Sequence, residues 1–311
     1  MAEPARFQKL LVVGDAMLDQ YWFGDASRIS PEAPVPVVRV TRTEERLGGA
    51  ANVARNIAAL GGEPTLLTVV GADAAGERLR SLLESSGIRP LLHLDPRLET
   101  TVKLRVVARQ QQMLRCDFES HPHEEILLAH LGTYEKELSG HAAVLLSDYG
   151  KGGLTHILRM IELAREAGKP VLIDPKGSDY SRYRGATLIT PNRAELSQVI
   201  GTWQSEAELQ EKAQALRESL ELEAILLTRS EEGMTLFTKA GSLSVPAQAR
   251  EVYDVSGAGD TVIAVMATLI ASGLSLEKAV PIANRAGGIV VGKLGTATVS
   301  FEELFPEGRI E

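Results

Sequence analysis

The chain has 311 residues, 44% of them hydrophobic, and carries a formal charge of −8 with a pI of about 5.4. That length suits one large α/β domain, or a domain with a small appendage, and the acidic balance argues against the basic stripe of a nucleic-acid binder. A single cysteine, Cys116, excludes an internal disulfide and a multi-cysteine metal site, and its place in a strand-like run between Arg115 and Asp117 suits a structural thiol.

The first nine residues have no leader character, and the apolar run Leu10–Val13 is too short for a signal core. That run reads as a buried strand, ending at Gly14-Asp15. Residues 20–45 are rich in β-formers and prolines and lack a helical pattern. A helix is predicted over Ala50–Leu60, a strand over Thr65–Val69 and a helix over Gly76–Ser85. Residues 100–118 alternate apolar and polar side chains. Together with 20–45 they predict an antiparallel sheet standing off the main unit, as a lid over the site or a clasp between two subunits. Strands follow at Ala143–Leu146, Val171–Ile173, Thr187–Ile189 and Ala224–Leu227, with helices at Leu154–Ala167, Glu206–Leu220, Ala258–Ala271 and Leu276–Val291. Alternating strands and helices imply a largely parallel sheet covered on both faces, with ligands at the carboxyl ends of its strands. The longest apolar stretch, Val262–Ala271, is about half a membrane span, so a soluble cytoplasmic protein without membrane contact is expected.

The most informative motif is Asp254-Val-Ser-Gly-Ala-Gly-Asp260, which runs straight into an apolar helix. Glycines let backbone N–H groups crowd an anion, and the helix N-terminus adds its positive end. A carboxylate beside a phosphate site is costly unless it takes a proton from the attacking hydroxyl. A tight turn with an acidic helix start is the plainer alternative. Gly48-Gly-Ala-Ala-Asn52-Val-Ala-Arg-Asn56 is a second glycine-rich helix start, suited either to a polar ligand or to close helix–sheet packing. Asn192-Arg-Ala-Glu195 places an amide and a carboxylate on one helical face. The pair would hold a hydrated Mg²⁺ or form a capping box, and the spacing alone does not decide. Lys103 and Arg105 share one strand face, as a solvated basic face or as a grip on a phosphate. Two decoys fail. Gly287–Leu294 lacks the final hydroxyl of a phosphate-binding loop, and Gly150–Thr155 lacks the third glycine of a dinucleotide fingerprint.

Together, the Gly-Gly-Ala-Ala-Asn, Asn-x-x-Glu and Asp-Val-Ser-Gly-Ala-Gly-Asp motifs resemble the signatures of the ribokinase-like (PfkB) carbohydrate kinases, in the same order and over essentially the whole chain. Finer features resemble the heptose 7-phosphate kinases within that family: Gly14–Trp22, Arg28–Val37, Arg109–Arg115, Ser147–Thr155 and Asp174-Pro-Lys-Gly. The resemblance implies a three-layer α/β/α sandwich with a small β lid, 1–311 forming one kinase unit of the stand-alone type. It implies transfer of the ATP γ-phosphate to the C1 hydroxyl of a heptose 7-phosphate, on the route to ADP-heptose and the lipopolysaccharide core. Asp260 is then the base, with N–H groups of Gly257, Ala258 and Gly259 stabilising the transferring phosphoryl group. Asp19, Gly48, Gly49, Asn52 and Asp148 are implied for sugar hydroxyls, and Lys103, Arg105 and Lys176 for phosphate groups. Asn192 and Glu195 would organise Mg²⁺, with Glu195 acting through water. Thr228, Ser230, Gly233 and Asn284 would line the nucleotide site, the adenine lying between the turn before Met234 and the helix from Asn284 to Gly288. The expected partners are ATP, a sugar phosphate and a second copy of the chain. Another sugar as acceptor and a non-catalytic sugar or nucleotide sensor remain as alternatives. A sensor has no need of a carboxylate at position 260.

Overall fold

The computed structural model describes residues 7–109, 111–248 and 252–308. Residues 1–6, within the stretch lacking leader character, and Gln110, within the Arg109–Arg115 segment, lie outside the described residues. In chain order the first half comprises β1 (Lys9–Gly14), β2 (Ala16–Ile29), β3 (Pro36–Gly49), α1 (Ala50–Ala59), β4 (Glu63–Gly71), α2 (Ala74–Ser85), β5 (Arg89–Asp95), β6 (Val102–Ala108), β7 (Gln111–Phe118) and α3 (Glu124–Glu137). There follow β8 (Ala143–Ser147), α4 (Ile157–Glu166), β9 (Val171–Asp174), β10 (Leu188–Ile189), α5 (Arg193–Ile200), α6 (Glu206–Ser219) and β11 (Ala224–Thr228). The chain closes with β12 (Met234–Thr238), β13 (Gly241–Val245), α7 (Ala258–Ala271), α8 (Leu276–Val290) and α9 (Phe301–Leu304).

The main sheet has the order β13-β12-β11-β10-β9-β8-β1-β4-β5. It is parallel from β11 to β5, and β12 and β13 extend it antiparallel. The parallel strands are apolar on both faces because both are covered. Leu10 and Val12 of β1 pack with α1, α2, α7 and α8, whereas Leu11 and Val13 pack with α3, α4 and α6. This alternation makes the three layers. Helix α7 is buried from Asp260 to Leu269, which suits a helix that is apolar nearly all round. The direction of chain progression reverses between β1 and β8, which opens a crevice at their carboxyl ends.

The second sheet has the order β3-β2-β6-β7 and takes in the stretches 20–45 and 100–118. Its sense corrects the antiparallel expectation. The two hairpins β2–β3 and β6–β7 are antiparallel, but β2 and β6 run parallel where the hairpins meet. The reason is topological: β6 is reached through α1, β4, α2 and β5, long enough to return the chain to the same end. The register sorts its side chains by face. Asp19, Lys103 and Asp117 form one cross-strand row, with Tyr21, Arg105 and Arg115 beside it. The opposite face carries Trp22, Val106 and Leu114 in one row and Leu18, Val102 and Phe118 in another. Trp22, Leu114 and Phe118 are 40%, 54% and 49% exposed, so the outer part of this face is apolar and uncovered in one chain.

Candidate active site

A cleft of about 250 Å³ opens at the carboxyl ends of β8 to β11. Asp148, Asp174, Lys176, Glu195, Thr228 and Asp260 are among its lining residues, together with Tyr149, Asn192, Gly257 and Gly259. Asp148, Lys176, Asn192, Glu195, Thr228, Gly257, Gly259 and Asp260, all singled out in sequence, therefore converge here from five different segments.

Asp260 is the centre of this arrangement. Gly257 caps α7 in the left-handed region at φ 76°, and a Cβ there would stand 2.9 Å from Nδ2 of Asn52. Only glycine makes this turn without strain. The turn brings Asp260 into the first helical turn with its carboxylate against α1. Nδ2 of Asn52 donates to Oδ2 at 2.7 Å, and the Tyr149 hydroxyl donates to Oδ1 at 2.7 Å. One turn along α1, Asn56 Oδ1 accepts from Thr261 at 2.9 Å, so the i, i+4 asparagines fasten α1 to α7. Burial pushes the Asp260 carboxyl up, with Asp19 adding to this. The hydrogen bonds from Asn52 and Tyr149, and the charge of Lys103, pull it back. The Ala258 N–H is directed to the Val255 carbonyl at 3.2 Å, which differs from its expected role as an anion donor. Gly257 and Gly259 line the cleft, and the space beside the Gly259 Cα is open.

Asp19 is buried on β2 and accepts from Arg105 at 2.7 Å. A Cβ at Gly48 would lie 2.5 Å from Asp19 Oδ2, so this glycine admits the carboxylate. Gly49 and Asn52 are buried beside it. Lys103 is half-buried, with its ammonium 5.8 Å from the Tyr149 ring centre. Burial pulls its pKa down, and Asp19 and Asp117 oppose this. Asp148 is held by the Gly150 N–H at 2.8 Å and the Tyr183 hydroxyl at 2.8 Å.

Asn192 and Glu195 do form the capping box. Asn192 Oδ1 accepts from the Glu195 N–H at 2.9 Å, and Glu195 Oε2 accepts from the Asn192 N–H at 3.0 Å. Glu195 Oε1 meets Lys176 Nζ at 3.3 Å. Lys176 thus has a carboxylate partner in the cleft, with its side chain half exposed. Asp174 faces the same space. Burial holds its carboxyl well above the usual range, and the charges of Asp260 and Glu195 push the same way. Four carboxyl residues, Asp148, Asp174, Glu195 and Asp260, line the cleft, but among the described residues no group of three or more His, Cys, Asp or Glu side chains is placed to hold a metal ion by itself.

Ser230, Gly233 and Asn284 are not brought to this cleft. Ser230 is exposed in a turn at φ 52°, next to Gly233. Asn284 is buried on α8, and its amide donates to the Pro246 carbonyl at 2.8 Å. It fastens the segment after β13 rather than facing the open cleft.

Three further residues at the site carry no role legible in the sequence motifs. Asp15 is buried at the β1–β8 crevice and accepts from the N–H groups of Tyr149, Lys151 and Gly153 at 3.1, 2.9 and 2.9 Å. It fixes the loop that carries Tyr149. Asp15 ends the first strand, where ligand crevices form, and that was the available signal. Asp174 likewise ends a strand. For Tyr149 no sequence signal points to a partner 111 positions away.

The architecture is the ribokinase-like α/β sandwich, and the comparisons agree. Phosphofructokinase-2 from Escherichia coli in complex with potassium superposes with a TM-score of 0.80 at 22% identity, covering 96% of this chain and 97% of that one. Residues 8–303 match the family described as pfkB family carbohydrate kinase. The chain belongs to that family and is a carbohydrate kinase. It is 56% identical over 306 residues to the D-beta-D-heptose 7-phosphate kinase of Bordetella bronchiseptica, with 98% of each chain covered. It is 53% identical over 301 residues to the bifunctional protein HldE of Nitrosococcus oceani, covering 95% of this chain and 63% of that protein.

Proposed function

We propose that this kinase transfers the γ-phosphate of ATP to the C1 hydroxyl of D-glycero-β-D-manno-heptose 7-phosphate, giving the 1,7-bisphosphate for ADP-heptose and lipopolysaccharide core synthesis. The observation that carries the acceptor is the 56% identity over 98% of both chains to a kinase of that name. Asp260 takes the hydroxyl proton, the oxygen bonds to the γ-phosphorus, and the bridging bond breaks with its electron pair leaving on ADP. Gly257 and Gly259 leave the backbone at the helix start open to the transferring group. Asp19, Gly48, Gly49, Asn52 and Asp148 surround the sugar, and Lys103 meets its phosphate. Thr228 lies on the nucleotide side. A screen of ATP consumption against free and phosphorylated sugars tests the reading. Heptose 7-phosphate should give the highest kcat/KM, and a preference for an unphosphorylated sugar would overturn it.

Mg²⁺ arriving with ATP would sit at the carboxylate-lined end of the cleft and neutralise charge on the ATP phosphates. Glu195, aided by Asn192, would hold it through water. Glutamine preserves the capping box, so Glu195→Gln separates capping from metal binding. We expect an apparent Mg²⁺ requirement raised by about 10–100-fold, the usual cost of losing an outer-shell partner. Superimposable Mg²⁺ titrations would leave Glu195 with the cap alone.

The small sheet acts as a lid, its charged face toward the sugar. Its apolar outer face is an association liability in a monomer. We expect a homodimer joined through Trp22, Leu114 and Phe118 of each subunit, the protein residing in the cytoplasm. Light scattering at micromolar concentration should report twice the chain mass, and a monomer there would rule out the clasp.

A further inference from the structure

The base is held by a phenol that the reaction does not consume. Asp260 is buried, and its two oxygens each receive one side-chain donor at 2.7 Å: Asn52 from α1 and Tyr149 from the loop after β8. That loop is itself pinned by three backbone N–H bonds to the buried Asp15 carboxylate, the first from Tyr149. The phenol therefore reaches Asp260 from a rigid mount on a different element of the sheet.

We propose that Tyr149 is a positioning residue for Asp260, its hydroxyl fixing the carboxylate so that the remaining lone pairs face the acceptor hydroxyl. The surroundings give this hydrogen bond a second consequence. Asp19 from β2 and Asp174 from β9 bring like charge to Asp260, against Lys103 from β6 and Arg55 from α1. Burial and the neighbouring carboxylates favour the protonated form, which cannot act as a base. A donor to the carboxylate opposes them. Tyr149 is suited to this because burial, and then the charge of Asp260, keep its own hydroxyl protonated far above neutral pH. It donates throughout the working range and takes no proton itself.

This inference rests on Asp260 being the base of the kinase reaction and not on which sugar is the acceptor. Tyr149→Phe removes one oxygen and leaves the ring in place. Losing a donor raises the Asp260 pKa, so the acid limb of kcat/KM should move to higher pH, by about one to two units for a hydrogen bond to a charged group. Below the limb the rate falls roughly ten- to a hundredfold, and it recovers in part above it. In an Asp260→Asn background Tyr149→Phe should add no further loss. A ¹³C-carboxyl titration of aspartate-labelled protein reads the same shift without any sugar, the Asp260 signal being identified by its absence in Asp260→Asn. Tyr149→Met, which fills the space differently, should move that titration in the same direction. If the Asp260 titration coincides in wild type and both variants, the proposal is overturned, whatever happens to the rate. A wild type that accepts no sugar at all would instead defeat the acceptor assignment, and the carboxyl titration would still decide the role of Tyr149.

Discussion

Replacing Asp260 by asparagine should lower kcat by about 10²–10⁴-fold, the contribution expected of a positioned general base. Asparagine keeps the size of the side chain and removes its capacity to take a proton. The surroundings make the assignment specific. Asp260 stands in the first turn of α7, beyond a left-handed glycine, with one donor on each oxygen. A carboxylate that only started the helix would have no need of Asn52 and Tyr149, which reach it from distant segments. The amide NH₂ of asparagine will face one of these donors, so some loss of thermal stability is expected. KM for ATP should stay close to wild type, because the nucleotide is not held by this group. Steady-state kinetics on protein shown to be folded at the assay temperature checks both parts. Near-normal turnover would remove Asp260 from the chemistry.

The second large effect is expected at Lys103. On the charged face of the small sheet, Arg105 is tied to Asp19 at 2.7 Å and Arg115 to Asp117 at 2.8 Å. Among the described residues no carboxylate lies within ion-pair distance of Lys103, which leaves its ammonium available to an anion brought by the substrate. Burial disfavours its charge, and a bound phosphate would restore it. Charge-assisted contacts of this kind contribute about 1.5–3 kcal/mol, so Lys103→Met should cost roughly ten- to over a hundredfold in kcat/KM for the phosphorylated sugar. ATP binding should remain nearly intact, and the unphosphorylated sugar should be a poor substrate for both proteins. Equal losses toward ATP and sugar phosphate would contradict the assignment of Lys103 to the sugar's phosphate.

The elements legible in the sequence were those with a strong local period. Buried parallel strands such as Leu10–Val13 stand out as apolar runs, and α7 begins at Ala258 as its glycine turn predicts. Of the elements missed, β12 (Met234–Thr238) is buried over four of its five residues, whereas others are only partly buried. Strand β13, Gly-Ser-Leu-Ser-Val, sits at the sheet edge with small polar residues, and β5 at the opposite edge is interrupted by Pro90 and His93. Helix α3 buries only Leu127, His130 and Tyr134, too few to mark a stripe. At the site, the motifs named the residues but not their pairing. Whether Lys176 would meet a phosphate or Glu195, and whether Asn284 would face a nucleotide or Pro246, depends on where separate strands end in space. The parallel join between β2 and β6 was hidden for the same reason. Alternation reports which face a residue takes, not the direction of the neighbouring strand.

The proposed reaction is phosphoryl transfer to C1 of a sugar that already carries a phosphate. ³¹P NMR of the reaction with ATP, Mg²⁺ and heptose 7-phosphate tests it most directly. A new phosphorus signal coupled to the anomeric proton should grow as ADP forms, while the 7-phosphate signal persists in the same product. A product phosphorylated at another hydroxyl, or ADP formed with no new sugar phosphate, would contradict it.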